Sequence, residues 1–251
     1  MNSRTICIGL TLGMAACAAL SFASQKKEKA APGLLIQDKG KFTIKLAGQT
    51  VGHEEFDIAP AEGGWLAKGT SDIKLPQGAP SKVTGSLTLL ADGSPVSYEW
   101  SAQSDTTNGA HIVFANGVAN ITVEMQGAHA CTSEEIRDPN RKQACFFEQS
   151  LSFNSPLIAV LDNNLYYQYA VLARLYNWSK GGQQNFPVLI PQELTPGTVS
   201  VLSTGSTTAD GKTYEGLKVS SSDLEILLLL DNSHRLIRLE VPEARVSVIR
   251  D

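Results

Sequence analysis

Apolar and polar positions alternate along most of this chain. Phe42, Ile44 and Leu46 alternate with Thr43 and Lys45, and the same two-residue rhythm runs through Val83 to Leu89 and Val96 to Trp100. Period two predicts strands with one buried and one wet face. Turn signals separate the runs at Asp38-Lys39-Gly40, Glu62-Gly63-Gly64, Asp92-Gly93, Asn108-Gly109 and Asn116-Gly117. Asn116-Gly117, between Ile112–Ala115 and Val118–Val123, is the clearest hairpin. Short turns between successive strands predict an antiparallel meander to about residue 153, because parallel pairing needs long crossovers.

One segment changes period. Leu165, Tyr169, Leu172 and Tyr176 recur at spacings of four, three and four, which predicts a helix over 163–178. Asp162 or Asn163 supplies its N-cap, and Gly181-Gly182 its stop. Pro187, Pro191 and Pro196 then interrupt an extended passage. Strands resume at Thr198–Leu202, Tyr214–Val219, Leu224–Leu230, Leu236–Val241 and Arg245–Ile249, with Asp231 to His234 as a turn. The expected fold is α+β, mostly β: a single curved antiparallel sheet, an open half-barrel, with one helix packed on its concave face.

The N-terminus has its own pattern. A single positive charge, Arg4, precedes an uncharged apolar run from Ile6 to Phe22, which ends in small residues at Ser21 and Ala23. This predicts a signal peptide over 1–23 and a periplasmic or secreted protein. A spanning helix is the competing reading, weakened by Gly9, Gly13, Ser21 and the alanines. Met14-Ala15-Ala16-Cys17 is similar to the box that directs lipid attachment to a cysteine, except for Met14, so tethering through Cys17 stands as an alternative. Residues 24–32 (SQKKEKAAP) read as a flexible linker, and 33–251 as one domain.

Cysteine use agrees with export. Cys7 and Cys17 lie in the leader, and Cys131 and Cys145 flank a polar, turn-rich segment, so a disulfide is expected between them. Closing a loop of that length removes about 3 kcal/mol of unfolded-state entropy. A metal site using His129 with both cysteines is the weaker alternative, since nothing completes a tetrahedral set.

With 251 residues, 42% apolar and 18% charged, the chain can bury a sizeable core and lacks the charge of a disordered one. Its net charge of −4 makes nucleic acid an unsuitable partner, because neutralising phosphates takes a Lys/Arg excess.

Several short motifs resemble a family of exported bacterial proteins of unknown function. They are Phe42-Thr-Ile-x-x-x-Gly48 with Val51-Gly52-x-Glu54-x-Phe56, Asp92 to Tyr98, Asp162-Asn-Asn-Leu-Tyr-Tyr, and Ile226 to Asp231 followed by Arg235-Leu-Ile-Arg-Leu. That family is similar to the periplasmic lipoprotein carriers, whose unclosed barrel is lined by apolar side chains and plugged by helices. The resemblance implies a half-barrel and an apolar ligand, and it supplies no catalytic residue. The Cys131–Cys145 segment and the proline passage have no counterpart in it.

No catalytic grouping emerges from the residues. There is no Gly-x-Ser-x-Gly elbow, no Ser-x-x-Lys helix and no phosphate loop after Gly63-Gly64 or Gly181-Gly182. Glu54 and Glu55 are strand neighbours and point to opposite faces. His53 and Glu55 share a face, where a solvent-exposed ion pair is expected, and His234 reads as a turn residue. Neither a cofactor nor a metal is expected. Trp65, Tyr98, Trp100, Phe114, Tyr166 and Tyr169, with Phe146 and Phe153, are the candidate liners of an apolar groove, although strand aromatics are usually core. The expectation is a non-enzymatic envelope protein that binds a lipid or other apolar ligand. The alternative is a structural or interaction module with a filled core that meets an envelope protein partner.

Overall fold

The computed structural model describes residues 34–104, 107–125, 129–130, 132–137, 145–209 and 211–251. The leader, the linker and Cys17 lie outside them, as do Cys131 and the side chains of Cys145 and Phe146, and with them the expected disulfide.

Among the described residues sixteen strands form one sheet. The first half is β1 (Asp38–Leu46), β2 (Gln49–Ala61), β3 (Gly64–Ile73), β4 (Ser81–Leu90), β5 (Pro95–Gln103), β6 (Thr107–Ala115), β7 (Val118–Met125), β8 (His129–Ala130) and β9 (Cys145–Ser152). The second is β10 (Ala159–Val160), β11 (Gln183–Ile190), β12 (Thr195–Ala209), β13 (Lys212–Ser220), β14 (Glu225–Leu230), β15 (Leu236–Val241) and β16 (Val246–Arg250). The order is β10 to β16, then β1 to β7, β9 and β8, with β10 and β8 as unjoined edges, so the sheet is open and not a closed barrel.

The meander arises as the alternation predicts. In β4 every second residue from Val83 to Leu89 is buried, and β1 to β7 pair with their neighbours in antiparallel register. Asn116 and Gly117 both take positive φ (52° and 76°), the twin left-handed residues that let Ala115 pair with Val118 across a two-residue turn. First and last strands meet inside the sheet, where Phe42 is opposite Arg250. Arg250 grips Asp38 through two bonds of 2.6 and 3.1 Å and lies 5.3 Å over the ring of Phe56, which stacks on Phe42. This fork-to-carboxylate pair fixes the two ends of the domain to each other.

Four expectations need correction. Asp38-Lys39-Gly40 and Asn108-Gly109 do not turn the chain: they lie within β1 and β6, paired with β2 and β5. The sheet is mixed rather than purely antiparallel: β10 runs parallel to β11, and β8 parallel to β9. Helix α2 (Tyr167–Leu175) lies between β10 and β11 and supplies the crossover that parallel pairing requires. A second, short helix, α1 (Ser133–Arg137), forms within the segment read as a turn-like loop. Helix α2 is also shorter than 163–178 and is not capped by Asp162 or Asn163. Its N-cap is Tyr166, without a side-chain cap bond, and its C-cap is Tyr176, before the glycine pair. The reason lies in the sheet.

Candidate functional site

Glu54 falls on the inward phase of β2, between apolar Val51 and Phe56, and it is fully buried. An unpaired carboxylate there would cost several kcal/mol. Glu54 instead accepts the backbone N–H of Tyr166 (2.6 Å) and of Tyr167 (2.9 Å), the orphan donors of the first turn of α2. A strand carboxyl therefore caps the helix, displacing the local cap that the sequence offers. Burial is the main influence on this group. It pushes the Glu54 carboxyl up to about 8, against the lowering effect of the two N–H bonds.

The helix needs a recess to come this close. Gly69 of β3 and Gly85 of β4 are cross-strand partners, and together they leave a furrow in the sheet. A Cβ on Gly69 would sit 2.3 Å from the Tyr167 ring, and one on Gly85 would sit 2.9 Å from the Tyr167 hydroxyl. The furrow is the seat of Tyr167, which is fully buried.

Asp162, just before the helix, joins a second buried network. Its Oδ2 accepts from the Tyr98 hydroxyl (2.9 Å), Gln168 Nε2 donates to that hydroxyl (3.0 Å), and Gln168 Oε1 accepts the Asp162 N–H. Asp162 Oδ1 accepts from Gln192 N–H at 2.9 Å and from its neighbour Asn163. Burial raises this carboxyl to about 6, and it raises the Tyr98 and Tyr167 hydroxyls too. Raised carboxyls mark catalytic acids elsewhere. Glu54, however, is fully buried, and both Asp162 oxygens already accept bonds. What this arrangement does chemically is hold the lead-in of α2 in one position on the sheet.

The structure does not gather the candidate liners into one groove. Tyr98 is inside the network just described, and Trp65, Trp100, Phe114 and Phe153 are half-buried against the core. Trp100 borders a cleft near β6, and Tyr169 a different one near β11. Beneath the helix, where a ligand groove and a filled core stood as alternatives, packing leaves a void of only about 10 Å³ among Leu87, Val160, Val171 and Leu172. Val171, Leu172 and Leu175 fill the space themselves. The expected His53–Glu55 ion pair is replaced by a contact of His53 Nδ1 with Thr43 Oγ1 at 3.3 Å.

A cleft with apolar and polar walls opens beside the helix instead. This cleft, of about 420 Å³, lies between Leu161 and Tyr169 on one side and Val188, Val199, Val219, Leu224 and Ile226 of β11–β14 and their loops on the other. Its charged lining residues, Asp162, Glu193 and Asp223, are all acidic. Sequence reasoning missed this cleft and Glu54. An acidic residue in the apolar phase of a strand was the available signal for Glu54. None existed for the cleft, which joins strands distant in sequence. Among the described residues no cluster of three or more His, Cys, Asp or Glu could hold a metal, and no helix is long and apolar enough to cross a membrane.

No family model matches this chain, and no curated protein does. Solved structures do. A β-barrel-like protein of the domain of unknown function DUF1849 from Brucella abortus superposes over 86% of this chain and 95% of its own, with a TM-score of 0.53 and 8% identity. A DUF1089 family protein from Pseudomonas aeruginosa covers 76% of this chain and 90% of its own, with a TM-score of 0.46 and 11% identity. At such identity the likeness to the first speaks for the β-barrel-like fold alone.

Proposed function

We propose that this is an exported envelope protein of half-barrel form that binds a neutral apolar molecule, such as an uncharged lipid, without transforming it. The observation that carries this reading is the cleft between Tyr169 and β11–β14. Its volume of about 420 Å³ falls within the range of small-molecule sites, roughly 300–1,000 Å³. Its valine, leucine and isoleucine side chains favour burial of a hydrocarbon at about 25 cal/mol per Å², and Asn163, Thr195, Thr198, Ser221 and Ser222 offer hydrogen bonds to an uncharged polar head. The acidic rim repels carboxylate and phosphate heads, which selects a neutral or cationic one. The leader and the resemblance to periplasmic carriers support the location.

The test is a titration with the neutral dye Nile red, followed by displacement with a monoacylglycerol. Leu224 lines the cleft and is 39% exposed, so Leu224→Asp spares the core. The reading expects saturable dye binding that this variant weakens about tenfold or more, with unchanged melting. Absence of dye uptake, or equal uptake by the variant, defeats it. The filled space beneath α2 favours a second reading, an interaction module that carries no ligand. That reading expects no dye uptake, and a specific envelope protein crosslinked to the sheet.

A further inference from the structure

We propose that a second cleft, at the C-terminal end of α2, binds a phosphate or carboxylate group. This cleft, of about 640 Å³, lies between the last turn of α2, residues 176–180, the start of β11 and the turn at His234. Its charged lining residues are Arg174 and Lys180, with no carboxylate among the rest. It is the electrostatic opposite of the acidic cleft described above, and the two lie toward opposite ends of α2 and β11.

Arg174 carries the argument. Its Nη2 is buried and has no hydrogen-bond partner. A guanidinium donor shut away from water without an acceptor is costly. The fold has not supplied an acceptor, although two carboxylates act on Arg174 from nearby. Asp38 is held by both terminal nitrogens of Arg250, with Arg235 at 3.8 Å. Asp231 Oδ1 accepts the N–H groups of Ser233 and Arg235. The side chain as a whole is half-buried and borders the cleft, so part of the guanidinium is within reach of a ligand there. An anion there gains a planar, two-pronged donor. The helix C-terminus carries about half a negative charge, and the two cations outweigh it.

The walls are built to stay in place. Trp178 stacks on His234 with ring centroids 3.9 Å apart and planes 6° from parallel, while its indole N–H donates to the Ala173 carbonyl at 3.1 Å. Tyr176 meets Trp178 edge-on at 5.0 Å and donates its hydroxyl to the Gly182 carbonyl. Leu175 and Phe186 add apolar surface. Such surroundings suit an anionic group on a greasy or aromatic body, whether a lipid headgroup or a soluble anion.

Isothermal titration of the purified protein at constant ionic strength tests this, with octyl phosphate, octyl glucoside and inorganic phosphate as probes. Octyl phosphate should bind at least tenfold more tightly than octyl glucoside, and Arg174→Gln should abolish that preference. Arg174→Lys should keep part of it, since a point charge cannot make the forked contact. Inorganic phosphate matching octyl phosphate identifies a free anion as the ligand, and a much weaker inorganic phosphate identifies an amphiphile. Equal affinity for octyl phosphate and octyl glucoside overturns the proposal, as does an unchanged preference in folded Arg174→Gln. If that variant does not fold, Lys180→Gln and a salt series decide: indifference to both overturns it. Leu224→Asp, in the other cleft, should leave phosphate binding intact, so failure of either site is read separately.

Discussion

Replacing Glu54 by glutamine should change how the stability of this fold depends on pH. The carboxyl is fully buried and its value rises from 4.5 to about 8 on folding. Below pH 4.5 the folded and unfolded forms both hold the proton, and burial of the neutral acid carries no charge penalty. Between 4.5 and about 8 the unfolded chain has released the proton while the folded one keeps it, so stability falls as pH rises. The slope is about 1.4 kcal/mol per pH unit, and the whole fall is on the order of 5 kcal/mol. Glutamine removes that slope. Its single carbonyl oxygen cannot satisfy the N–H groups of both Tyr166 and Tyr167, so the variant loses about 1–3 kcal/mol at every pH. At pH 5 the wild type should be the more stable, at pH 9 the variant, and the two curves should cross between. Asp162 titrates with the same sign, from 3.8 to about 6, but it is present in both proteins and cancels in the difference. Urea unfolding followed by tryptophan fluorescence at each pH from 5 to 9 provides the comparison. A wild-type-minus-variant difference that stays constant within about 0.5 kcal/mol across that range would refute the idea that a buried, proton-holding carboxyl caps α2.

The furrow makes a steric prediction. Gly69→Ala sets a Cβ 2.3 Å from the Tyr167 ring and should cost about 1–3 kcal/mol, read as a melting temperature lower by several degrees. Gly197→Ala meets only the Val188 methyl at 3.3 Å and should melt close to wild type. Equal melting of the two variants would remove the furrow as the seat of the helix. Tyr98→Phe takes a donor from Asp162 and an acceptor from Gln168, so about 1–3 kcal/mol of stability should disappear in a urea titration. No change would mean that another group takes over the hydroxyl's place.

The strands were legible because their signal is local. Alternation at Phe42–Leu46 or Val83–Leu89 follows from the two-residue repeat of an extended backbone against one dry face, and Asn116-Gly117 makes its turn through its own φ angles. The existence of a helix around Tyr169 was equally local. Its ends were not. Asp162 is a good cap by type, yet the tertiary fold gives its oxygens to Tyr98 and Gln192 and brings a strand carboxyl to the helix instead. The aromatic liners could be assigned to an inner face but not to a common space, because which rungs of the sheet stand opposite the helix depends on register and on the Gly69–Gly85 recess. The same holds for the two clefts. Alternation along a strand says which residues face inward. Only the close packing of Val171, Leu172 and Leu175 decides how much of that interior is filled and where space is left over.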